Sequence, residues 1–202
     1  MRKKKSERGA AAIEFTLSTM FLVPLLLGTL VFGFRLIRAI EMDQITRDLG
    51  HMYVRGVDFR NAGPQQNAQT LASGFDLAAT GTSLVVLSQI KQIQQSDCNA
   101  ANPGVPAGTP CPNLNKLVFT EQLTIGNTSD GSSHFGTPPT TGGTVTATDQ
   151  ANNPAAVATG FSSVMNLSPG VIAYMAEMIN QTPDLNIPGF SGTPLVYARA
   201  IF

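Results

Sequence analysis

The chain has 202 residues, with thirteen Lys and Arg against thirteen Asp and Glu, and 43% of its residues are hydrophobic. That length leaves about one domain beyond any anchor. The zero net charge hides a skew: residues 1–9 hold five of the bases and one acid, so the remainder carries eight bases against twelve acids. Residues 61–202 contain only Lys91, Lys116 and Arg199 as bases, which argues against the clustered cations that hold nucleic-acid phosphates.

The N-terminus reads MRKKKSER, then Gly9, then the apolar run AAAIEFTLSTMFLVPLLLGTLVFGF. Phe15 to Phe34 carries no charge, and a helix of that length at about 1.5 Å per residue spans the roughly 30 Å hydrocarbon core. Glu14 interrupts the run near its start. A carboxylate entering a bilayer is costly, so its presence there points to a function. Three readings compete. A cleavable secretory signal has an apolar region of about 7–15 residues ending at a small-residue site; this run is longer, and no such site follows it. A plain uncut anchor would let Glu14 reach back to the interface. The third reading takes Gly9 and Glu14 together. In all cases the basic flank keeps residues 1–9 on the cytoplasmic side and sends the C-terminal part across. Arg35 and Arg38 on the far flank are fewer, and Glu41 and Asp43 follow them closely.

The third reading rests on Arg8-Gly9-Ala10-Ala11-Ala12-Ile13-Glu14-Phe15. This segment resembles the processing site of class III signal peptides, most closely that of the TadE-like minor pseudopilins of the tight-adherence (Flp) pilus system. The resemblance covers residues 8–34 and, more loosely, 83–95 and 171–202, where Tyr197-Ala198-Arg199-Ala200-Ile201-Phe202 is similar to the family's C-terminal strand. It implies a cut between Gly9 and Ala10 by a membrane aspartyl prepilin peptidase. Glu14 would then be the fifth residue of the mature chain, followed by Phe15, and would meet the terminal amine of a neighbouring subunit. The implied partners are the peptidase, other pilin or pseudopilin subunits, an inner-membrane pilus platform and membrane lipid. The implied place is the bacterial inner membrane with an exported C-terminal domain, and the pilus or cell surface beyond it.

Beyond the apolar run the helix is expected to continue to about Arg55. Met42, Ile45, Leu49 and Met52 form one apolar stripe, Asp43 and Arg47 pair on the opposite side, and Gly56 is a stop. The stripe packs either on other helices of an assembly or under the protein's own sheet. Pro24 removes one donor within the span. The divisions are a basic leader 1–9, a transmembrane helix 10–34, a helical stem 35–56 and an exported domain 57–202. A short helix is expected after Pro64, with Ala68, Leu71, Ala72 and Phe75 on one face. Ser83–Ile90 reads as a buried strand. Leu117, Phe119, Leu123 and Ile125 alternate with Val118, Thr120, Gln122 and Thr124 as a period-two strand, with Glu121 on its apolar side. Val171–Ile179 fits either a helix or a strand by spacing, and the resemblance implies a strand. Pro194–Phe202 reads as a closing strand. The fold class is therefore α+β: a long N-terminal helix followed by a small antiparallel β-rich domain.

Cys98 and Cys111 flank a chain rich in proline and glycine, and an even pair in an exported domain favours a disulfide. The segment 126–160 is dominated by Gly, Thr, Ser, Asn and Ala, with turns at Asp130-Gly131, Pro138-Pro139 and Gly142-Gly143. It reads as a surface insertion, with Thr144–Thr148 as a short strand. Catalytic patterns such as HExxH, GxSxG, CxxC and the Walker loop are missing from the sequence. His134 near Ser132, Ser133 and Asp130 reads as a solvated loop histidine, because triads draw their members from separate elements. No cofactor or metal is implied. Asn127, Asn166 and Asn180 head sequons that read as chance in so Asn-, Ser- and Thr-rich a chain. The functional expectation is a structural pseudopilin-like subunit and not an enzyme. The alternative is an unprocessed single-pass membrane protein with an exported binding domain.

Overall fold

The computed structural model describes residues 4–181 and 195–202, with side chains described from Gly9 onward. The first leader residues 1–3 and the start of the closing strand at Pro194 lie outside the described residues. The chain divides into two compact units, Met1–Ile40 and Glu41–Phe202. One helix, α1 (Lys4–Val54), contributes to both and contains Pro24. It ends where Gly56 takes a left-handed φ of 84°, a conformation glycine adopts without a Cβ penalty.

From Phe15 to Phe34 in the first unit α1 is apolar on every side, and Phe15, Phe21, Leu25 and Phe32 are exposed. Such a helix is the kind a bilayer solvates, and the run is long and apolar enough to cross a membrane.

The second unit holds α2 (Ala62–Leu71), β1 (Ser83–Gln92), α3 (Gln95–Ala101), β2 (Leu117–Gly126), α4 (Ala147–Asn152), β3 (Ile172–Gln181) and β4 (Leu195–Ile201). The four strands form one antiparallel sheet in the order β2-β1-β3-β4. On one face Met42, Leu49 and Tyr53 of α1, with Phe59, Ala68, Ala72, Phe75 and Leu77, pack on Val85, Leu87, Leu123, Ile125, Ala176 and Met178. The stripe read from the sequence is thus covered by the protein's own sheet, and the folded unit begins at Glu41. Asp43 and Arg47 pair at 2.8 Å on the outer side. Gly50 packs closely, because a Cβ there would collide with the Phe202 ring.

Leu71 departs from expectation. It is exposed, while Ala68, Ala72 and Phe75 are buried. The helix ends at Leu71, and Ala72 leaves helical geometry at ψ 34°, so Phe75 reaches the core through a turn and not along one helical face. Strand β2 also departs from strict alternation. Gln89 faces Glu121 but Ile90 faces Phe119, which leaves Thr120 as an extra residue in a bulge. A bulge reverses the facing of all that follows. Glu121, Leu123 and Ile125 therefore face the helices, whereas Phe119 joins Ile90, Ala173 and Met175 in a second cluster on the opposite face.

The segment 126–160 is not a loose surface insertion. Phe135, Val145, Ala156 and Ala158, with Phe161 just beyond, close over that second cluster. The expected strand at Thr144–Thr148 is reduced to isolated bridges from Thr144 to Glu121 and Thr141. Its second half is helical, because the Thr146 hydroxyl accepts from the Asp149 N–H at 3.1 Å and caps α4, which starts at Ala147.

Candidate functional site: the N-terminal segment of α1

Gly9, Ala10, Glu14 and Phe15 are consecutive turns of one helix, and all four are exposed. Glu14 lies about 6 Å along the axis from Ala10, on the same side of the helix. The hydroxyls near it are already satisfied: Thr16 Oγ1 donates to the Ala12 carbonyl at 2.8 Å and Thr19 Oγ1 to the Phe15 carbonyl at 2.7 Å. This back-bonding hides a polar group within its own helix. A carboxylate cannot do the same because it has no proton to donate. Among the described residues Glu14 has no hydrogen bond or ion pair, and it is flanked by the exposed Ile13 and Phe15. Among the described residues it is a carboxylate in an apolar band with no partner of its own.

The second unit contains a different kind of chemistry. Cys98 and Cys111 form a disulfide whose sulfurs sit with Ile93, Ala101, Val118 and Ala151 in a small buried cluster. Helix α3 is fixed beside it by a capping box between Gln94 and Asp97. Asp97 also pairs with Lys91 at 2.9 Å. Burial pushes the Asp97 carboxyl up, but the Gln94 N–H and the Lys91 ammonium together outweigh it and hold its pKa below the usual value.

Two polar clusters were not recognised in the sequence. Arg60, between α1 and α2, donates to the Gly142 carbonyl at 2.8 Å and to Thr144 Oγ1 at 2.9 Å, and pairs with Glu121 at 2.8 Å. Burial raises the Glu121 pKa, Arg60 lowers it and Asp58 raises it again; the net shift is upward. The only sequence signal was a lone acid on the apolar side of β2. The second cluster surrounds Glu177, which is fully buried. One of its oxygens accepts from the Tyr197 hydroxyl at 2.7 Å and from the His134 N–H at 3.1 Å. Burial, with Glu177 as acceptor beside it, drives the Tyr197 hydroxyl pKa upward.

His134 is exposed, as a solvated loop residue is expected to be, but its ring stacks on Tyr197 at 4.0 Å between centroids. The Ser133 hydroxyl accepts from the Phe135 N–H, and an Asp130 carboxylate oxygen accepts from Asn127. These side chains hold turns and do not converge on a nucleophile. Asn180 is buried with its amide on the Ser83 hydroxyl at 2.7 Å, and the Asn127 amide donates to the Gly81 carbonyl at 2.8 Å, so both sequon amides are occupied. Among the described residues, no group of three or more His, Cys, Asp or Glu gathers as metal ligands do.

Comparison with family models, with curated proteins and with solved structures finds no match for this chain. The functional assignment therefore rests on the residues themselves.

Proposed function

We propose that this chain is a pseudopilin-like structural subunit for biogenesis of a tight-adherence (Flp-type) pilus or a related envelope secretion assembly. The observation that carries the reading is Glu14, which has no partner among the described residues, beside Gly9–Ala10 at the start of a run that is apolar all round from Phe15 to Phe34. In this reading α1 holds the subunit in the bacterial inner membrane with its basic end cytoplasmic, and residues 41–202 are exported, where a disulfide is chemically at home. A prepilin peptidase cuts after Gly9. The new ammonium of Ala10 and the Glu14 carboxylate of a neighbouring copy or another pilin attract strongly where water is scarce. The subunit does structural work and performs no reaction of its own.

Intact-mass measurement of membrane-extracted protein tests the processing step. Loss of residues 1–9 is expected in cells with an active peptidase, and full-length protein alone would overturn the reading. Glu14→Ala tests assembly. It removes a charge from the bilayer edge and should insert at least as well as the parent, yet the neighbour's ammonium loses its counter-ion. Normal membrane levels with lost pilus-dependent adherence are expected, and Glu14→Gln should behave alike. Unchanged adherence at normal levels would make Glu14 a tolerated boundary charge.

A further inference from the structure

The helix does not begin at the proposed mature end. It starts at Lys4 and runs through Gly9 and Ala10 without a break. An α-helix across this bond occupies both of its polar groups: the Ala10 N–H donates to the Ser6 carbonyl, and the Gly9 carbonyl accepts from the Ile13 N–H. Hydrolysis needs that carbonyl carbon open to attack. The oxygen of a water bonds to it and the C–N bond breaks. Both water protons end on the Ala10 nitrogen, which leaves as an ammonium, and Gly9 keeps a carboxylate. A carbonyl directed along the helix axis, between neighbouring turns, is a poor target for that attack.

Gly9 itself needs explaining. A Cβ added there would meet nothing within 4 Å, and its φ is not among the positive ones. Neither packing nor a turn asks for glycine at this position, in contrast to Gly50 against Phe202 and Gly56 at the helix end. Inside a helix, glycine in place of alanine loosens it, by about fivefold in the local helix equilibrium. The residues that follow, Ala10, Ala11 and Ala12, are the strongest helix formers.

We infer that Gly9 is the weak point of a helical gate: the first turns of α1 must unwind before the Gly9–Ala10 bond can be cut, and the alanines after it set how often they do. This inference rests on the proposed processing site and adds its regulation. Gating of this kind keeps the uncut subunit shielded until its first turns open within reach of the peptidase.

The test uses the full-length chain in membranes that contain an active aspartyl prepilin peptidase. Cleavage rate is followed by intact mass, alongside hydrogen exchange of the Ile13 amide. Ala11→Gly and, separately, Ala12→Gly leave both residues of the scissile bond unchanged. Each should speed cleavage about fivefold and speed Ile13 exchange by a similar factor. Gly9→Ala should slow cleavage, and adding Ala11→Gly should restore part of the rate. If the parent is never cut at Gly9–Ala10, the proposed function fails. If the parent is cut but the glycine variants change neither its rate nor that of Gly9→Ala, the gate is overturned and Gly9 serves only by its size. Faster cleavage without faster Ile13 exchange also overturns the gate, because it would place the effect in contacts with the peptidase.

Discussion

Along α1, Phe21, Leu25 and Phe32 lie open to their surroundings, whereas Met42, Leu49 and Tyr53 a few turns later are sealed against a sheet. The amino-acid types are similar and their arrangement is not. From Phe15 to Phe34 apolar residues surround the helix on all sides. From Glu41 onward they narrow to a stripe, with the Asp43–Arg47 pair opposite. A stripe specifies burial on one side by protein, and a full circumference specifies an apolar solvent. One continuous helix therefore carries two patterns, and the change is written in how many of its faces are apolar.

The sharpest way to break this comparison is to remove the same side chain from both regions. Leu49→Ala empties a fully buried site, and should cost about 2–5 kcal/mol of the folded unit's stability. Leu26→Ala removes an exposed leucine of the first unit and should leave that stability unchanged. Chemical denaturation of detergent-solubilised protein, followed by circular dichroism, distinguishes the two. An equal loss in both variants would mean that the apolar run is a core element and not a lipid-facing one.

The contrast also explains what could be read from the sequence. By spacing, β3 fits a helix or a strand, and it reads as a strand only by the resemblance. The helix with its stop at Gly56, the strands now seen as β1 and β4, and the pairing of Cys98 with Cys111 all follow from local pattern or compartment logic. The segment 126–160 did not. Its few apolar residues, such as Phe135, Val145 and Ala156, have no regular period, because short turns rather than a helix or strand bring them together. The bulge at Thr120 was hidden for a related reason: an inserted residue changes facing without changing composition. Arg60 and Glu121 are far apart in sequence, and nothing local to either announces the other. In the candidate site, by contrast, Gly9, Ala10, Glu14 and Phe15 are sequence neighbours on one helix, so the motif and its geometry are nearly the same information. What the motif did not reveal was that the helix extends back through Gly9 to Lys4.

A second prediction sharpens the comparison from the side of the folded unit. Reducing the disulfide, or replacing Cys98 and Cys111 with serine, should destabilise residues 41–202 by about 3 kcal/mol, the chain-entropy expectation for a loop of this length. Membrane retention of α1 should be unaffected. Denaturation midpoints with and without reductant measure the first, and fractionation measures the second. Loss of membrane retention on reduction would show that the anchor depends on the folded unit.

Arg60 and Glu121 give a smaller effect with an instructive asymmetry. Removing the cation with Arg60→Met leaves the largely buried Glu121 carboxylate uncompensated, and should cost about 1–2 kcal/mol. Glu121→Gln removes the charge whose burial is unfavourable and should change stability by less than about 1 kcal/mol in either direction. Because the folded-state pKa of Glu121 is raised, the native state binds its proton more readily than the unfolded chain does. Its contribution to stability is therefore full below the unfolded value and is lost as pH rises through the folded one. Arg60→Met should steepen that loss, and Glu121→Gln should abolish it. If both variants were equally destabilised with the same pH profile, the pair would matter by its shape and not by its charge.

Asp97 should respond to pH in the opposite direction and with the smallest amplitude. Its pKa is held low in the folded chain against the pull of burial, through the Gln94 N–H and Lys91, so here the unfolded chain binds the proton more readily. The stability it adds is present above the ordinary carboxylate value and is lost as pH falls through the depressed folded value. The pair is partly open to solvent, so screening limits the effect to under about 1 kcal/mol. Asp97→Asn should remove this acid-side decline and lower stability slightly at neutral pH. It should leave the decline that Glu121 causes as pH rises untouched. Amide exchange of Cys98 and Asn102, whose N–H groups bond to the Gln94 and Cys98 carbonyls at the two ends of α3, reports this locally. A decline below the ordinary carboxylate value that persists unchanged in Asp97→Asn would assign it to other carboxylates. Exchange that accelerates at both ends of α3 at neutral pH would show that the capping box, more than the ion pair with Lys91, keeps this short helix folded beside the disulfide.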